Sequence, residues 1–172
     1  MMMYRVAQLS KKDFIERYGD VFENSSWLAV KVWDSNLDQQ ATAQGLYEAF
    51  EHFIERATPE QQLALLNAHP DLAVTVKGKP ELTETSELEQ KRAGLNRCTP
   101  EEIQEFQDLN SRYREKFGFP FIMAVRNFAP DEILDSFRAR VTNSREEEFA
   151  TALEQVLLIG KYRIFDRFEE PR

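Results

Sequence analysis

The sequence predicts an all-α fold, a single-domain bundle of about seven to nine helices, on three observations. Apolar residues recur at spacings of three and four along most of the 172 residues, runs of β-branched residues are absent, and helix-start signals built from Ser or Thr, Pro and Glu or Gln return repeatedly. With 42% apolar residues there is material for one core, so residues 1–172 read as one domain.

Ser10, with Asp13 three residues on, reads as the N-cap of a first helix carrying Phe14, Ile15 and Tyr18, with Gly19 as its stop. A shorter apolar segment runs from Trp27 to Trp33. Asp38 reads as the cap of a longer helix whose inward stripe is Leu46, Ala49, Phe50, Phe53, Ile54 and Ala57. His52 lies beside that stripe with no second candidate ligand nearby, and reads as an ordinary helix residue, at the surface or partly buried. Thr58-Pro59-Glu60-Gln61 restarts the chain with a cap, a proline at the first helical position and a capping-box glutamine. That helix carries Leu63, Leu65 and Leu66 and ends at His69-Pro70, because a proline disfavours the helical region for the residue before it.

From Asp71 to Thr85 the chain is polar around Lys77-Gly78-Lys79-Pro80 and reads as a mobile loop, with a helix resuming near Ser86. Thr99-Pro100-Glu101-Glu102 opens a helix with the buried face Ile103, Phe106, Tyr113 and Phe117, closed by Gly118. Phe119-Pro120-Phe121-Ile122-Met123-Ala124-Val125 is apolar throughout and too short for an independent helix, which predicts an extended, buried connector. Helices over Pro130 to Val141 and from Ser144 to about Phe168 complete the set, the last with Ser144 and Glu147 spaced for a capping box.

The formal charge of −8, without a cluster of Lys and Arg, argues against nucleic acid and against an anionic membrane surface as partners. No apolar stretch long enough for a signal peptide or a membrane span precedes Lys11, Lys12 and Asp13. One cysteine, Cys98, excludes an internal disulfide, and with two histidines it leaves little for a transition-metal site; a reducing, cytoplasmic compartment is expected.

His69 is held where the chain leaves a helix, and there an imidazole serves either as a proton carrier or as a cap on the last carbonyls. If Ser86, Glu89 and Gln90 share a helix, their spacing puts them on one face with Ala93. The same Ser-x-x-Glu spacing is that of a capping box, in which Glu89 closes back on the backbone of Ser86, and taken alone it favours that reading. Ala93-Gly94 marks a helix end or a close packing contact. Arg163 follows Val156, Ile159 and Gly160 at helical spacing, and a lone arginine on such a face is an ion-pair partner or an anion anchor, the ion pair being favoured.

Taken together, Asn67-Ala-His-Pro-Asp-Leu-Ala73, Ser86-Glu-Leu-Glu-Gln90 with Ala93-Gly-Leu95, and Lys116-Phe-Gly-Phe-Pro-Phe-Ile122 resemble the OHCU decarboxylase family, which acts on 2-oxo-4-hydroxy-4-carboxy-5-ureidoimidazoline. The likeness extends to Gly19-Asp-Val-Phe-Glu-Asn-Ser-Ser-Trp27, to Asn110 with Tyr113 and to Arg163, in order along nearly the whole chain. It implies an all-helical fold, usually a homodimer, that works without metal or organic cofactor on a small ureidoimidazoline and completes the oxidation of urate to (S)-allantoin. By the same resemblance His69 and Glu89 are the catalytic pair. Pro70, Ser86, Glu87, Leu88, Gln90 and Arg163 then meet the substrate, and Phe121, Ile122, Met123, Ala124 and Val125 line the site, partly through backbone groups. One departure is Ser35-Asn36-Leu37, where the family often has Arg-Pro-Phe; it bears on local packing or the dimer surface. The alternatives are a non-enzymatic helical module that binds a partner helix through apolar grooves, and an enzyme of the same fold acting on another ureido acid.

Overall fold

A computed structural model of the chain describes residues 6–35, 42–73 and 83–169, among which there are eight α-helices and no strand. They are α1 (Lys11–Tyr18), α2 (Ser26–Asp34), α3 (Ala43–Glu55), α4 (Pro59–Asn67), α5 (Glu84–Arg92), α6 (Pro100–Phe117), α7 (Pro130–Arg140) and α8 (Arg145–Glu169). The all-α expectation and its helix count therefore hold.

Local caps explain where these helices begin. Ser10 Oγ accepts the Asp13 N–H at 3.1 Å. Thr58 with Gln61, Thr99 with Glu102 and Ser144 with Glu147 each close a reciprocal capping box, satisfying two otherwise orphaned N–H groups. Each such cap is worth about 1 kcal/mol. The expected cap Asp38 lies outside the described residues, as does the loop centred on Lys77-Gly78-Lys79-Pro80. α3 opens instead on Thr42, whose hydroxyl accepts the Gly45 N–H at 3.0 Å. α6 ends on Gly118 at φ +80, a left-handed conformation that costs glycine least. His52 is exposed on α3, with Nδ1 2.9 Å from Arg56 Nη1.

The chain divides into two compact units, the first made of residues 1–68 with 157–172 and the second of His69–Val156. In the first, α1 packs on α2 and α2 on α3. Phe14 meets Tyr18 and Trp33 with ring centroids 5.2 and 5.4 Å apart, and Phe22 meets Phe50 at 5.4 Å. Gly160 of α8 is part of that packing, since a Cβ built there would lie 2.3 Å from the Phe22 ring. Gly160→Ala is expected to destabilise the chain by about 1–3 kcal/mol through overpacking, read as a lower urea midpoint; an unchanged midpoint would show that Phe22 gives way freely.

The core of the second unit is aromatic. Phe106, Tyr113, Phe117, Phe119, Phe121 and Phe137 are all buried, and α6 packs on α7. The segment 119–125 lies outside any helix or strand and is buried from end to end, the buried connector that its apolar, proline-containing sequence predicts.

Candidate active site

α4 ends at Asn67 with Ala68 as its C-cap, and the chain leaves through His69 and Pro70. His69 is 5% exposed, and its Nε2 atom is out of contact with solvent. The three residues after Pro70 are held at four points. Arg114 Nε donates to Asp71 Oδ1 at 2.9 Å, Gln90 Nε2 to the Asp71 carbonyl at 3.3 Å, Asn110 Nδ2 to the Leu72 carbonyl at 3.1 Å, and the Ala73 N–H donates to Gln90 Oε1 at 3.0 Å. Ala73 takes φ +55, a region that a residue with a Cβ rarely occupies, and the bond to Gln90 helps to hold it there. Residues 71–73, the start of the expected loop, thus form a clamped strap in which each residue makes at least one hydrogen bond to a side chain.

α5 presents Ser86, Gln90 and Ala93 as buried residues and Glu89 as a half-buried one, while the Glu87 and Leu88 side chains are exposed. Its N-cap is Thr83, whose hydroxyl accepts the Ser86 N–H at 3.2 Å. Ser86 is therefore the third residue inside the helix, and the N–H that a Glu89 capping box would need is already given to Thr83. The capping-box reading of Glu89 does not hold. α5 stops at Ala93, followed by Gly94 at φ +79 and a 3-10 turn over Leu95–Arg97, which makes Ala93-Gly94 a helix end.

A buried ionic network fixes the connector 121–125. Glu148, wholly buried on α8, accepts from Tyr113 Oη at 2.6 Å, Arg140 Nε at 2.9 Å and Asn143 Nδ2 at 3.0 Å. Arg140 passes the constraint on, since its Nη1 donates to the Ile122 carbonyl at 2.7 Å and its guanidinium lies 4.3 Å from the centroid of Phe121. Phe121 in turn stacks on Phe137 with centroids 3.9 Å and planes 9° apart, and the Ala124 N–H donates to Gln155 Oε1 at 2.9 Å. Burial, reinforced by the bond to Glu148, pushes the Tyr113 hydroxyl well above the usual phenol range, so it remains a donor.

Arg163 lies in the first unit, 3% exposed, with Nη1 3.0 Å from Glu23 Oε1 and 3.3 Å from the Val21 carbonyl. The ion pair that its sequence context favours is present. Arg163→Met would take this cation away from the buried Glu23 carboxylate, and is expected to cost roughly 3–5 kcal/mol of stability in urea unfolding. A loss under about 1 kcal/mol would mean that water reaches Glu23.

The chain matches the family model described as OHCU decarboxylase over residues 7–165. It belongs to the OHCU decarboxylase family. Among relatives in that family, the 2-oxo-4-hydroxy-4-carboxy-5-ureidoimidazoline decarboxylase of Halalkalicoccus jeotgali is 40% identical over 157 residues, which are 91% of this chain and 86% of that protein. The uric acid degradation bifunctional protein of Bacillus sp. (strain TB-90) is 37% identical over 99% of this chain and 33% of its own length. Among solved structures, a crystal structure of (S)-allantoin synthase aligns with a TM-score of 0.73 at 30% identity, covering 92% of this chain and 51% of that one.

Of the site residues that resemblance to the OHCU decarboxylase family implies, His69, Pro70, Ser86, Glu87, Leu88, Glu89, Gln90 and Phe121 to Val125 all fall in the second unit, and Arg163 falls in the first. The bonds of Gln90 bring α5 to the strap that follows His69. Sequence reasoning gave no role in the site to Arg114, Arg140 and Glu148, nor to Asn110, which it named only as part of the resemblance. Two of them carried a signal: Asn110 and Glu148 are polar residues at positions where the helical period puts apolar ones, beside Phe106, Tyr113 and Phe117 on α6 and Ala152 and Val156 on α8. Among the described residues no group of three or more His, Cys, Asp and Glu gathers as for a metal ion, and no helix is long and apolar enough to cross a membrane.

Proposed function

We propose that this chain decarboxylates 2-oxo-4-hydroxy-4-carboxy-5-ureidoimidazoline to (S)-allantoin, the last step of urate oxidation, and does so as one cofactor-independent catalytic domain. The observation that carries this reading is the match to the OHCU decarboxylase model along nearly the whole chain. Its substrate is a small molecule.

The chemistry explains why side chains suffice. The substrate bears a carboxylate and a hydroxyl on one ring carbon, next to an imine carbon that carries the ureido group. When carbon dioxide leaves, the two electrons of the broken bond form a double bond between the two ring carbons, and the imine pair moves to nitrogen, which takes a proton. The hydroxyl then loses its proton to become the ring carbonyl, and the ureido-bearing carbon gains one, so that one proton is consumed overall. The substrate is its own electron sink, a task that otherwise falls to a cofactor. The protein has to orient, polarise and move protons.

In this reading His69 and Glu89 handle those protons. Imidazole and carboxylate are side-chain types suited to general acid–base work. His69 engages the hydroxyl or the carboxylate, and one of the pair arranges delivery to the ureido-bearing carbon. Delivery from a single face makes a single enantiomer. Gln90 holds the ureido or carbonyl oxygens and turns the carboxylate out of the ring plane, where its bond breaks most easily. Pro70 and Ser86 complete the contacts; Glu87 and Leu88, whose side chains are exposed, contribute through their backbone. Phe121, Ile122, Met123, Ala124 and Val125 form an apolar wall against water. We place the enzyme in the cytoplasm, a reducing compartment that suits a chain with the single cysteine Cys98, and give it the homodimer that the family resemblance implies.

The test supplies substrate labelled with carbon-13 in the carboxylate, made freshly from urate, to the purified chain. The reading expects labelled carbon dioxide and bicarbonate well ahead of the spontaneous rate in carbon NMR. Release at the spontaneous rate would overturn it.

A further inference from the structure

We propose that Asn110 is a positioning residue for His69, acting through the Leu72 carbonyl; this rests on the catalytic role given to His69 above. Asn110 is 7% exposed and stands on the buried side of α6 among Phe106, Leu109, Tyr113 and Phe117. Packing does not account for an amide there. Asparagine is a weak helix former, and its Oδ1 is buried with no hydrogen-bond partner among the described residues, so an apolar side chain would suit both the helix and the core better. What the amide does accomplish is one bond: Nδ2 donates to the Leu72 carbonyl at 3.1 Å, across 38 residues of chain.

Leu72 lies three residues beyond His69, in a strap whose other two members are already tied. Asp71 is gripped by Arg114 and Gln90, and Ala73 is held by Gln90 at φ +55. Without Asn110 the strap loses the middle one of its side-chain ties, and its backbone is left to shift on the bonds that Gln90 and Arg114 make at Asp71 and Ala73. Pro70 passes such a shift toward His69, because its fixed φ leaves one torsion fewer between residue 71 and His69 to absorb it. A small displacement of a catalytic group is enough to slow a reaction strongly. Asn110 thus sets the imidazole without touching substrate.

The chain's two histidines make the test direct, since His52 is exposed on α3 and serves as an internal control for His69 in imidazole proton NMR. Asn110→Leu keeps the number and branching of the side-chain heavy atoms and removes the amide. It is expected to lower kcat about 10- to 100-fold with KM within about twofold of wild type, and to shift or broaden the His69 ring resonance while that of His52 stays in place. Three results would each overturn the proposal: kcat unchanged, a rise in KM alone, which would make Asn110 a substrate contact, or an unmoved His69 resonance. Should the leucine variant fail to fold, Asn110→Ser, too short to reach Leu72 and roomy enough for water, is judged by the same readouts. Failure of the decarboxylase reading looks different: wild type itself would not turn over, and the NMR comparison alone would still decide whether Asn110 positions His69.

Discussion

His69→Ala is expected to lower turnover by roughly 10²–10⁴-fold, the range that a positioned acid or base contributes to a proton transfer. The variant should keep its helical circular dichroism. α4 has its own cap at Thr58 and already ends at Asn67, and the strap is held from Asp71 onward by Arg114, Gln90 and Asn110. Because His69 is 5% exposed, the deletion leaves a space, and a loss of about 1–2 kcal/mol, a few degrees in Tm, is expected. His69→Asn, which fills more of that space while removing the titrating ring, should be as slow as alanine but melt closer to wild type. Full activity in either variant would remove the imidazole from the reaction.

Glu89→Gln is expected to cut kcat by at least about tenfold while leaving stability within about 0.5 kcal/mol. The variant keeps the shape of the side chain and removes its charge. The interpretation is clean because Glu89 does not cap α5: Thr83 accepts the Ser86 N–H, so a loss of activity cannot be ascribed to a frayed helix start. The expected change lies in kcat more than in KM, since a proton handler acts in the transition state. Unchanged kinetics would make Glu89 a half-buried surface carboxylate and leave His69 to work with another partner.

The helices were legible because their signals are local. Ser10, Thr58, Thr99 and Ser144 cap within three residues of themselves, and the acceptor and the donor can be read from one short window. Where two local signals overlapped, the sequence misled. Thr83 and Ser86 are both cap types three residues apart, and the Ser86-x-x-Glu89 box competes with Thr83, the residue that opens α5. The connector 119–125 was legible from its proline and unbroken apolar run, yet what fixes it was not: Arg140 holds Ile122 from 18 residues away, and Glu148 holds Tyr113 from 35. Partners so far apart leave no periodic trace, only a charged or amide side chain at an apolar position of a helix. Gln90 shows the other limit. The resemblance implies that it meets substrate, but both ends of its amide bond to the backbone of the strap, so any role with substrate is added to one in positioning.

The most direct test of the central claim follows circular dichroism while the purified chain acts on freshly generated urate-oxidation product. The account predicts a one-handed (S)-allantoin signal that grows in proportion to enzyme, outruns the spontaneous reaction and falls to its racemic, signal-free course with His69→Ala. A product that stays racemic at every enzyme concentration, or an (S)-allantoin signal that persists undiminished in His69→Ala, would contradict it.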